Sequence, residues 1–532
     1  MPIRITNLRM PIEASQDFLD ERLADALDVL PRDISSWRLL RKSLDVRDKR
    51  AIRFVYSAEV RLRADEAPVV ERTRARGLVQ AEVWEEPPFS MPTPGSQPLR
   101  HRPVIIGSGP GGLVAGYFLA QQGYRPIVLE RGTSVSQRIR DVKAFDAGGA
   151  FEPESNYLYG EGGAGTFSDG KLTCRGSGPD VQRILELFAE CKGKPEILYE
   201  HRPHLGSNRL PAVVKAIRQR IEKMGGEVRF LTRVEDIRLS EGRLQSVETS
   251  SGSIPADLIA CAAGHSARDM YEILLARGIP MAQKPFQMGV RVEHPQELVN
   301  RVQYGNKPHE TILGNADYSM VAHGGADLFT FCMCAGGYII PSVSQEGYFC
   351  TNGMSLSKRD SPSANSGLVV TLPLSEFGSS DILAGVRIQQ QYEKRAYELG
   401  RGEYRCPTQR ARDFIAGRKT HDAKSSYPRE SMSADLREVL PPYIAKAIAD
   451  GLPRMDRTWK GRFLDEAVLV GPESRGSSPI RMIRDDITRQ SPGIEGFYPV
   501  GEGAGYAGGI VSAAVDGLKT ARAIVARYQP LT

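Results

Sequence analysis

Residues Pro103 to Arg131 decide the fold, and they read PVIIGSGPGGLVAGYFLAQQGYRPIVLER. Val104 to Ile106 form a short β-branched run, which is typical of a fully covered parallel strand. Gly107, Gly109 and Gly112 follow at the spacing of a dinucleotide fingerprint, in which glycines allow a tight turn, close approach of backbone to a pyrophosphate, and close helix packing. The apolar helix that follows directs free N–H groups and its positive dipole end at the phosphates.

A second strand follows the helix and completes the unit. Pro126 to Leu129 is apolar and ends in Glu130, 18 residues after Gly112. A carboxylate about 20 residues beyond the fingerprint is expected to bind a ribose hydroxyl. A glycine-rich turn alone is weak evidence, because such turns occur in other α/β proteins. Strand, fingerprint, helix, strand and acid together predict a ligand with an ADP half.

Composition limits the class of protein. The chain has 532 residues, 41% hydrophobic and 25% charged, with a net charge of +6. This length predicts two or three soluble domains, and the scattered charge disfavours nucleic acid as a partner while leaving an oligomer open. No apolar run approaches the ~18 residues of a membrane span, so we expect a cytoplasmic protein that makes no membrane contact. The seven cysteines contain no CxxC pair, and no metal site is predicted.

The order of periodic segments predicts an α/β protein of three units. Residues 1–98 have a β-α-β-β order, which favours a small α+β domain like a ferredoxin plait that docks or dimerises, with a proline-rich linker at its end. Residues 99–283 and 456–532 are predicted to form one Rossmann-type domain. Residues 284–455 are predicted to be an inserted α+β substrate or cap domain. We expect the apolar run at 468–470 to return to the Rossmann sheet.

A glycine-dense stretch runs from Leu158 to Leu172. Gly160, Gly162 and Gly165 repeat the GxGxxG spacing, but no apolar strand precedes them and no apolar helix follows. We therefore reject a second nucleotide fold. Two interpretations stay open: passage of backbone close to a flat or phosphorylated ligand, or a flexible surface loop.

Near the end of the chain, Gly501-Glu502 follows a short strand and precedes a glycine-initiated helix. Here the chain resembles the FAD-binding oxidoreductases related to glutathione reductase and p-hydroxybenzoate hydroxylase, in which a Gly-Asp pair holds the ribityl hydroxyls and the next helix begins at the flavin pyrimidine edge. Glu502 replaces the usual aspartate. The resemblance narrows to the poorly characterised bacterial FAD-dependent dehydrogenases through Gly160–Leu172, Gly289–Pro295, Asn352–Ser355 and Gly501–Gly517. The run Glu473–Pro479 departs from that family's pattern.

The fingerprint and this resemblance together assign a set of residues to non-covalent FAD. They are Gly107, Gly109, Pro110, Gly111, Gly112, Glu130, Arg131, Gly163, Gly165, Thr166, Ser168, Asp169, Lys171, Val234, Ala263, Gly264, Gly501, Glu502, Gly509 and Ile510. A lysine near the ring would favour negative charge on the reduced flavin. No inserted second Rossmann unit is predicted, which disfavours a dedicated NAD(P)H domain but allows NAD(P)H as a transient donor.

Candidates for catalysis are weaker. They are Lys171, Asp169, Arg481 and His265, and Arg475 with Arg481 is a candidate clamp for a substrate carboxylate. Each residue type is more often structural or solvated. Cys332 and Cys334 are expected on one face of a strand, as either a redox pair beside the flavin or part of a buried core face. We favour the buried face, because alternate strand residues are poorly placed for a disulfide. Covalent flavin attachment at Cys174 is disfavoured.

Three functions remain open at this point. The first is an FAD-dependent dehydrogenase or reductase of a small organic substrate. The second is a flavin monooxygenase that uses NAD(P)H and oxygen. The third is a flavin-containing factor whose N-terminal unit binds RNA or protein. Fold resemblance alone does not choose the substrate.

Overall fold

A computed structural model of the chain describes residues 1–174, 176–307 and 309–531. Residues 1–83 form a four-stranded antiparallel sheet in the order β2-β3-β1-β4 with two helices. The helices pack through Leu19, Leu23 and Val70, which are almost fully buried. The elements are β1 (Ile3–Pro11), α1 (Leu19–Leu27), β2 (Ile34–Asp45), β3 (Arg53–Leu62), α2 (Glu66–Arg76) and β4 (Gln80–Val83).

The next segment builds the parallel sheet that the fingerprint predicts. Its elements are β5 (Val104–Ile106), α3 (Pro110–Gln121), β6 (Ile127–Leu129), α4 (Val135–Asp146), α5 (Pro179–Glu190), α6 (Leu210–Lys223), β7 (Glu227–Arg229), β8 (Val234–Ser240), β9 (Arg243–Thr249), β10 (Gly252–Pro255), β11 (Ile259–Cys261), α7 (Arg268–Ala276) and β12 (Met281–Gln283). Strands β8, β9 and β10 form an antiparallel meander.

A second, seven-stranded sheet follows in the order β14-β15-β18-β13-β21-β19-β20. The elements of this segment are β13 (Phe286–Pro295), α8 (Gln296–Tyr304), α9 (Glu310–Leu313), β14 (Val321–Ala322), β15 (Leu328–Cys334), β16 (Gly337–Pro341), β17 (Thr351–Ser355), β18 (Ser363–Leu372), α10 (Ala384–Leu399), β19 (Cys406–Arg410), α11 (Ala411–Ala416), β20 (Ser431–Ser433), α12 (Pro442–Thr458) and β21 (Val468–Glu473).

The chain then returns to the first sheet through β22 (Ile480–Met482), β23 (Phe497–Pro499) and α13 (Ile510–Arg527). The first sheet has the order β23-β11-β5-β6-β7, and all of its pairs are parallel. Helices α3 and α13 pack closely against each other, and a Cβ on Gly517 would lie only 2.1 Å from the carbonyl oxygen of Gly111. This sheet and these two helices position the ends of the strands that build the site.

Two predicted boundaries were wrong. The run at 468–470 pairs antiparallel with β13 and β19, so it belongs to the second sheet. A short β-branched run fits either sheet, and only pairing decides between them. The predicted linker is also part of the Rossmann core, since the ring of Phe89 lies 5.6 Å from that of Phe118 and Gly95 N donates to Val525 O at 2.8 Å.

Within the described ranges, no helix has both the length and the apolar character needed to cross a bilayer.

Candidate functional site

A cavity of about 380 Å³ lies at the carboxyl ends of the parallel strands. This is the edge where open α/β sheets bind ligands. The turn after β5, the acid after β6 and the turn after β11 all contribute to its lining, and so do Gly501 and Glu502 after β23. The predicted glycine-dense stretch forms another wall, through residues that include Gly163, Gly165 and Lys171. One cavity therefore contains the beginning and the end of the predicted cofactor site.

Helices α3 and α13 both begin at this cavity. Their N-cap residues are Gly109 and Gly509, neither helix has a side-chain cap, and neither has an acidic residue in its first turn. The first N–H groups of a helix need acceptors, and the helix dipole favours an anion at that end. Two uncapped helix ends on one cavity fit a ligand with a phosphate at one position and negative charge at another.

Glu130 is buried at the end of β6 and lines the cavity. Its two carboxylate oxygens accept hydrogen bonds from four protein donors. Oε2 accepts from the amide and hydroxyl of Ser108 at 3.0 and 2.5 Å, and Oε1 accepts from the amides of Gly132 and Gly160 at 2.8 and 3.1 Å. The carboxylate thus holds the fingerprint turn against the glycine-dense stretch. It also lies on the cavity, where the sequence predicts a contact with the ribose.

Glu502 and His265 lie together on the cavity, with 3.7 Å between Oε1 and Nε2. Burial raises the pKa of Glu502 to about 7, although the Lys284 ammonium opposes the shift. Burial, followed by the charges of Arg475 and Arg268, lowers the pKa of His265 to about 3. His265 is therefore neutral at neutral pH, and its Nδ1 has no hydrogen-bond partner among the described residues.

Lys171 reaches the cavity from the glycine-dense stretch. Its ammonium lies 2.8 Å from Asp169 Oδ2 and donates to the carbonyl of Met333 in the second sheet. Asp169 is fully buried and also pairs with Arg359 at 2.6 Å, so one carboxylate pairs with two cations and the three groups keep a net positive charge. Burial opposes the charge of Asp169, but Lys171 and Arg359 prevail and hold its pKa well below the usual range.

The lining fits an FAD at both helix ends. A Cβ built on Gly109 or Gly508, at the starts of α3 and α13, would meet no protein atom within 4 Å, although both residues line the cavity. Their lack of a side chain is therefore not needed for packing within the protein. A ligand that lies against bare backbone supplies the physical reason.

Most of the residues assigned to FAD line this one cavity. The exceptions are Gly112, Thr166 and Asp169, which lie outside the cavity lining and are therefore not placed to contact the cofactor as predicted. Gly112 serves helix packing, since a Cβ there would lie 1.9 Å from Gly107 O. Thr166 is buried and donates to Glu161 O at 3.3 Å, and Asp169 holds its two cations behind the loop. Seventeen of the twenty predicted residues remain at the cavity: Gly107, Gly109, Pro110, Gly111, Glu130, Arg131, Gly163, Gly165, Ser168, Lys171, Val234, Ala263, Gly264, Gly501, Glu502, Gly509 and Ile510.

The predicted carboxylate clamp does not form. Arg475 lines the cavity, but its guanidinium pairs with buried Glu393 at 2.8 Å and donates to Ser344 Oγ at 2.6 Å. Arg481 is exposed on β22, is not part of the cavity lining, and lies over the ring of Tyr506 at 5.1 Å. A side chain on an edge strand cannot be placed from sequence, because strand alternation gives the face and not its surroundings.

The two cysteines of β15 also differ from the prediction. Cys332 has a φ of 45° within an irregular stretch between Phe331 and Cys334, so the simple alternation of the strand is broken there. Cys332 is half-buried and lines the cavity, whereas Cys334 is fully buried. The cavity lining does not include Cys174.

Sequence reasoning missed the part of the lining that comes from the second sheet and from side chains near the adenosine end. These residues are Tyr159, Thr232, Arg233, Met270, Phe331, Asn352 and Gly476. A signal existed for three of them: Tyr159 lies in the glycine-dense stretch, Asn352 in a run that carries the family resemblance, and Gly476 in the run Glu473–Pro479. Placement of the others depends on packing between the two sheets.

The solved structures that match this chain share little sequence identity with it and have low TM-scores. L-proline dehydrogenase from P. horikoshii is 12% identical, with 80% of this chain and 93% of that chain covered at a TM-score of 0.32. Glycine oxidase from Bacillus cereus is also 12% identical, with 80% and 95% covered at a TM-score of 0.31. CtdE in complex with FAD is 12% identical, with 77% and 78% covered at a TM-score of 0.30.

Family models and a relative give the assignment. Residues 105–164 match an NAD(P)-binding Rossmann-like domain, residues 2–61 a domain of unknown function, and residues 285–476 the model described as "FAD-dependent protein, C-terminal domain-like". A Clostridium beijerinckii protein, described as "Uncharacterized protein", is 37% identical over 534 residues, which is 99% of each chain. The chain therefore belongs to the same family as this Clostridium protein, and its residues 285–476 match a domain described from FAD-dependent proteins.

Proposed function

We propose that this protein is an FAD-dependent oxidoreductase that passes hydride or electrons between a small organic substrate and the flavin. FAD, when bound, supplies the redox chemistry. The protein's own residues bind the cofactor, exclude water and set the local charge. Lys171 holds a positive charge at the cavity wall, and the α13 N-terminus adds a partial positive charge at the same cavity.

The observation that carries the proposal is the single cavity bounded by both uncapped helix ends. The α3 end lies at the fingerprint, where it would hold the pyrophosphate. The α13 end lies beside Glu502, where it would stabilise negative charge at the pyrimidine edge of the ring. Glu130, Arg131 and Val234 would then lie at the adenosine end.

The test is anaerobic reduction of the purified protein. We expect a yellow protein with about one FAD per chain, released by denaturation and therefore not covalently bound. NADH, NADPH and a panel of metabolites are added in turn, and bleaching of the flavin absorption identifies the donor. Bleaching by NAD(P)H would support a transient nicotinamide donor. A colourless protein that does not take up added FAD would refute the proposal.

Reaction with oxygen separates this proposal from monooxygenase activity. We expect substrate to reduce the flavin without becoming hydroxylated when oxygen is readmitted. Hydroxylated product formed at the expense of NAD(P)H would replace the proposed activity with oxygen insertion.

A further inference from the structure

A second cavity, of about 910 Å³, lies between the N-terminal unit and the rest of the chain. Its lining comes from the N-terminal unit, from residues within 171–174 and 176–185, from residues 198–203, and from β15 with residues 317–319. We call it the cleft. The lining residues that describe its ligand are Arg4, Arg41, Trp84, Val181, Leu185 and Leu198.

The cleft adjoins the cofactor cavity. Lys171, Thr173 and Cys332 line both of them. Under the proposed function these residues lie near the flavin ring, because they belong to the wall formed by the glycine-dense stretch and β15. A molecule in the cleft would therefore reach the redox-active end of the cofactor, and this step of the inference rests on the proposed function.

The N-terminal unit is fixed as a wall of the cleft by backbone hydrogen bonds. Lys42 N donates to Tyr199 O at 2.6 Å, and His201 N donates to Lys42 O at 2.8 Å. Lys49 Nζ also donates to the carbonyl of Val302. Strand β2 is thus joined directly to the segment that precedes α6, and the cleft does not depend on a loosely tethered domain.

The charges on the cleft favour an anion. Arg41 Nη2 lies 2.7 Å from His201 Nδ1, and no carboxylate in the described part of the chain forms an ion pair with it. Burial, followed by Arg41 and Arg202, lowers the pKa of His201, so the imidazole is neutral at neutral pH and does not offset the arginine. Burial raises the pKa of Glu200, the lining carboxylate without an ion pair among the described residues, and so disfavours its negative charge, although Lys194 and Lys42 act in the other direction.

Two further features of the cleft indicate the chemistry of its ligand. Arg4 pairs with Glu82 at 3.5 Å and its guanidinium lies 5.3 Å from the Trp84 ring centroid, so Arg41 is the lining arginine without an ion pair among the described residues. Val181, Leu185 and Leu198 provide an apolar wall. A cationic end and an apolar wall are complementary to an organic molecule with an apolar body and one acidic group.

We propose that the cleft is the substrate site and that it binds an organic anion with an apolar body, with Arg41 holding the acidic group. The probe for the test is 8-anilinonaphthalene-1-sulfonate, an aromatic sulfonate whose fluorescence rises on burial. It is titrated into the FAD-loaded, full-length protein. We expect saturable binding at one site per chain and a change in the flavin absorption band.

Two variants test the location. Arg41→Gln should weaken probe binding at least about tenfold, since it removes the charged hydrogen-bond donor for the sulfonate. Val181→Trp should weaken it by filling the cleft. Arg72→Gln, at an exposed arginine of the same unit outside the cleft lining, should leave it unchanged. The uncharged analogue N-phenyl-1-naphthylamine should bind the wild type and Arg41→Gln equally.

The possible failures are distinguishable. If the protein carries FAD but the probe binds all variants equally, or does not bind, the cleft proposal is wrong and the proposed function stands. If the protein binds no FAD, the proposed function fails. Equal weakening of the charged and uncharged probes by Arg41→Gln would also overturn the role of Arg41 as the anion contact.

Discussion

At the residue scale, Gly109 and Gly112 lie three positions apart in one turn but are glycine for different reasons. A Cβ on Gly109 would enter open space, whereas one on Gly112 would lie 1.9 Å from Gly107 O. We predict that Gly109→Val reduces FAD content to less than about a tenth of wild type with a folded protein, because the side chain occupies the cofactor's path. Absorption after denaturation measures FAD, and circular dichroism measures folding.

Gly112→Val is the matched control for this prediction. It should yield little soluble protein, because backbone atoms cannot move apart to admit the new side chain. Normal flavin content in Gly109→Val would contradict the assignment of the fingerprint.

Glu502 predicts a pH dependence of FAD affinity. Its pKa is about 7 because burial disfavours the charged form, with Lys284 opposing. A carboxylate accepts hydrogen bonds from hydroxyls better when ionised, and FAD that binds this form would bind more tightly as pH rises through about 7. We expect the Kd for FAD to fall by about tenfold between pH ~6 and pH ~8. Equilibrium titration of the apoprotein measures it.

Glu502→Gln should abolish this trend, since an amide does not titrate in this range. Glu376→Gln, at an exposed position, should retain it. Parallel pH curves for the wild type and Glu502→Gln would assign the dependence to another group.

Cys332 is predicted to be the most reactive cysteine. The adjacent Cys334 thiol, followed by the charges of Lys171 and Arg291, holds the pKa of Cys332 below its usual range, although burial acts in the other direction. Because the thiolate is the nucleophile, we expect iodoacetamide at pH ~7 to label Cys332 about tenfold faster than Cys174, the other half-buried cysteine. Peptide mass spectrometry measures both rates. Bound FAD should slow the labelling of Cys332, and preferential labelling of Cys174 would refute this prediction.

At the scale of elements, Asp516 joins α13 to the end of the first sheet. Its carboxylate pairs with Arg484 at 2.7 Å, also accepts from Arg489, and accepts from Gly501 N at 2.7 Å. We predict that Asp516→Asn lowers the free energy of unfolding by about 3–5 kcal/mol, because it leaves buried arginines without their carboxylate. Denaturant titration measures the loss.

Asp450→Asn is the control for this prediction. Asp450 forms an exposed i,i+4 pair with Lys446 at 2.7 Å, and its loss should cost less than about 0.5 kcal/mol. Equal losses in the two variants would mean that Asp516 does not hold the helix.

At the scale of the whole molecule, two truncations of different length test where the N-terminal unit ends. Deletion of residues 1–86 should preserve FAD binding, because the cofactor cavity has no lining residue from that range. Deletion of residues 1–98 should destabilise the Rossmann core, because it also removes Phe89 from Phe118 and the backbone bonds of Gly95 and Gln97 to α13. Thermal unfolding of the two truncated proteins, with FAD content, compares them. Equal stability would contradict the boundary.

The sequence by itself determined the fingerprint turn and the close α3 packing that Gly112 requires, because both follow from local backbone demands. The family resemblance of the Gly501-Glu502 run implied a position at the cofactor, and Glu502 lines the cavity. Seventeen of the residues assigned to FAD from the fingerprint and the resemblance line that one cavity.

Only the tertiary structure decided which partners the charged side chains have and which parts of the second sheet line the cofactor cavity. Arg475 has a side chain of the type that binds a substrate carboxylate, but it is paired with Glu393, a residue 82 positions away. The backbone irregularity at Cys332 and the pairing of β21 with β13 depend on contacts between strands far apart in sequence. Strand period fixes which residues share a face, whereas the neighbour of that face is chosen by packing of the complete chain.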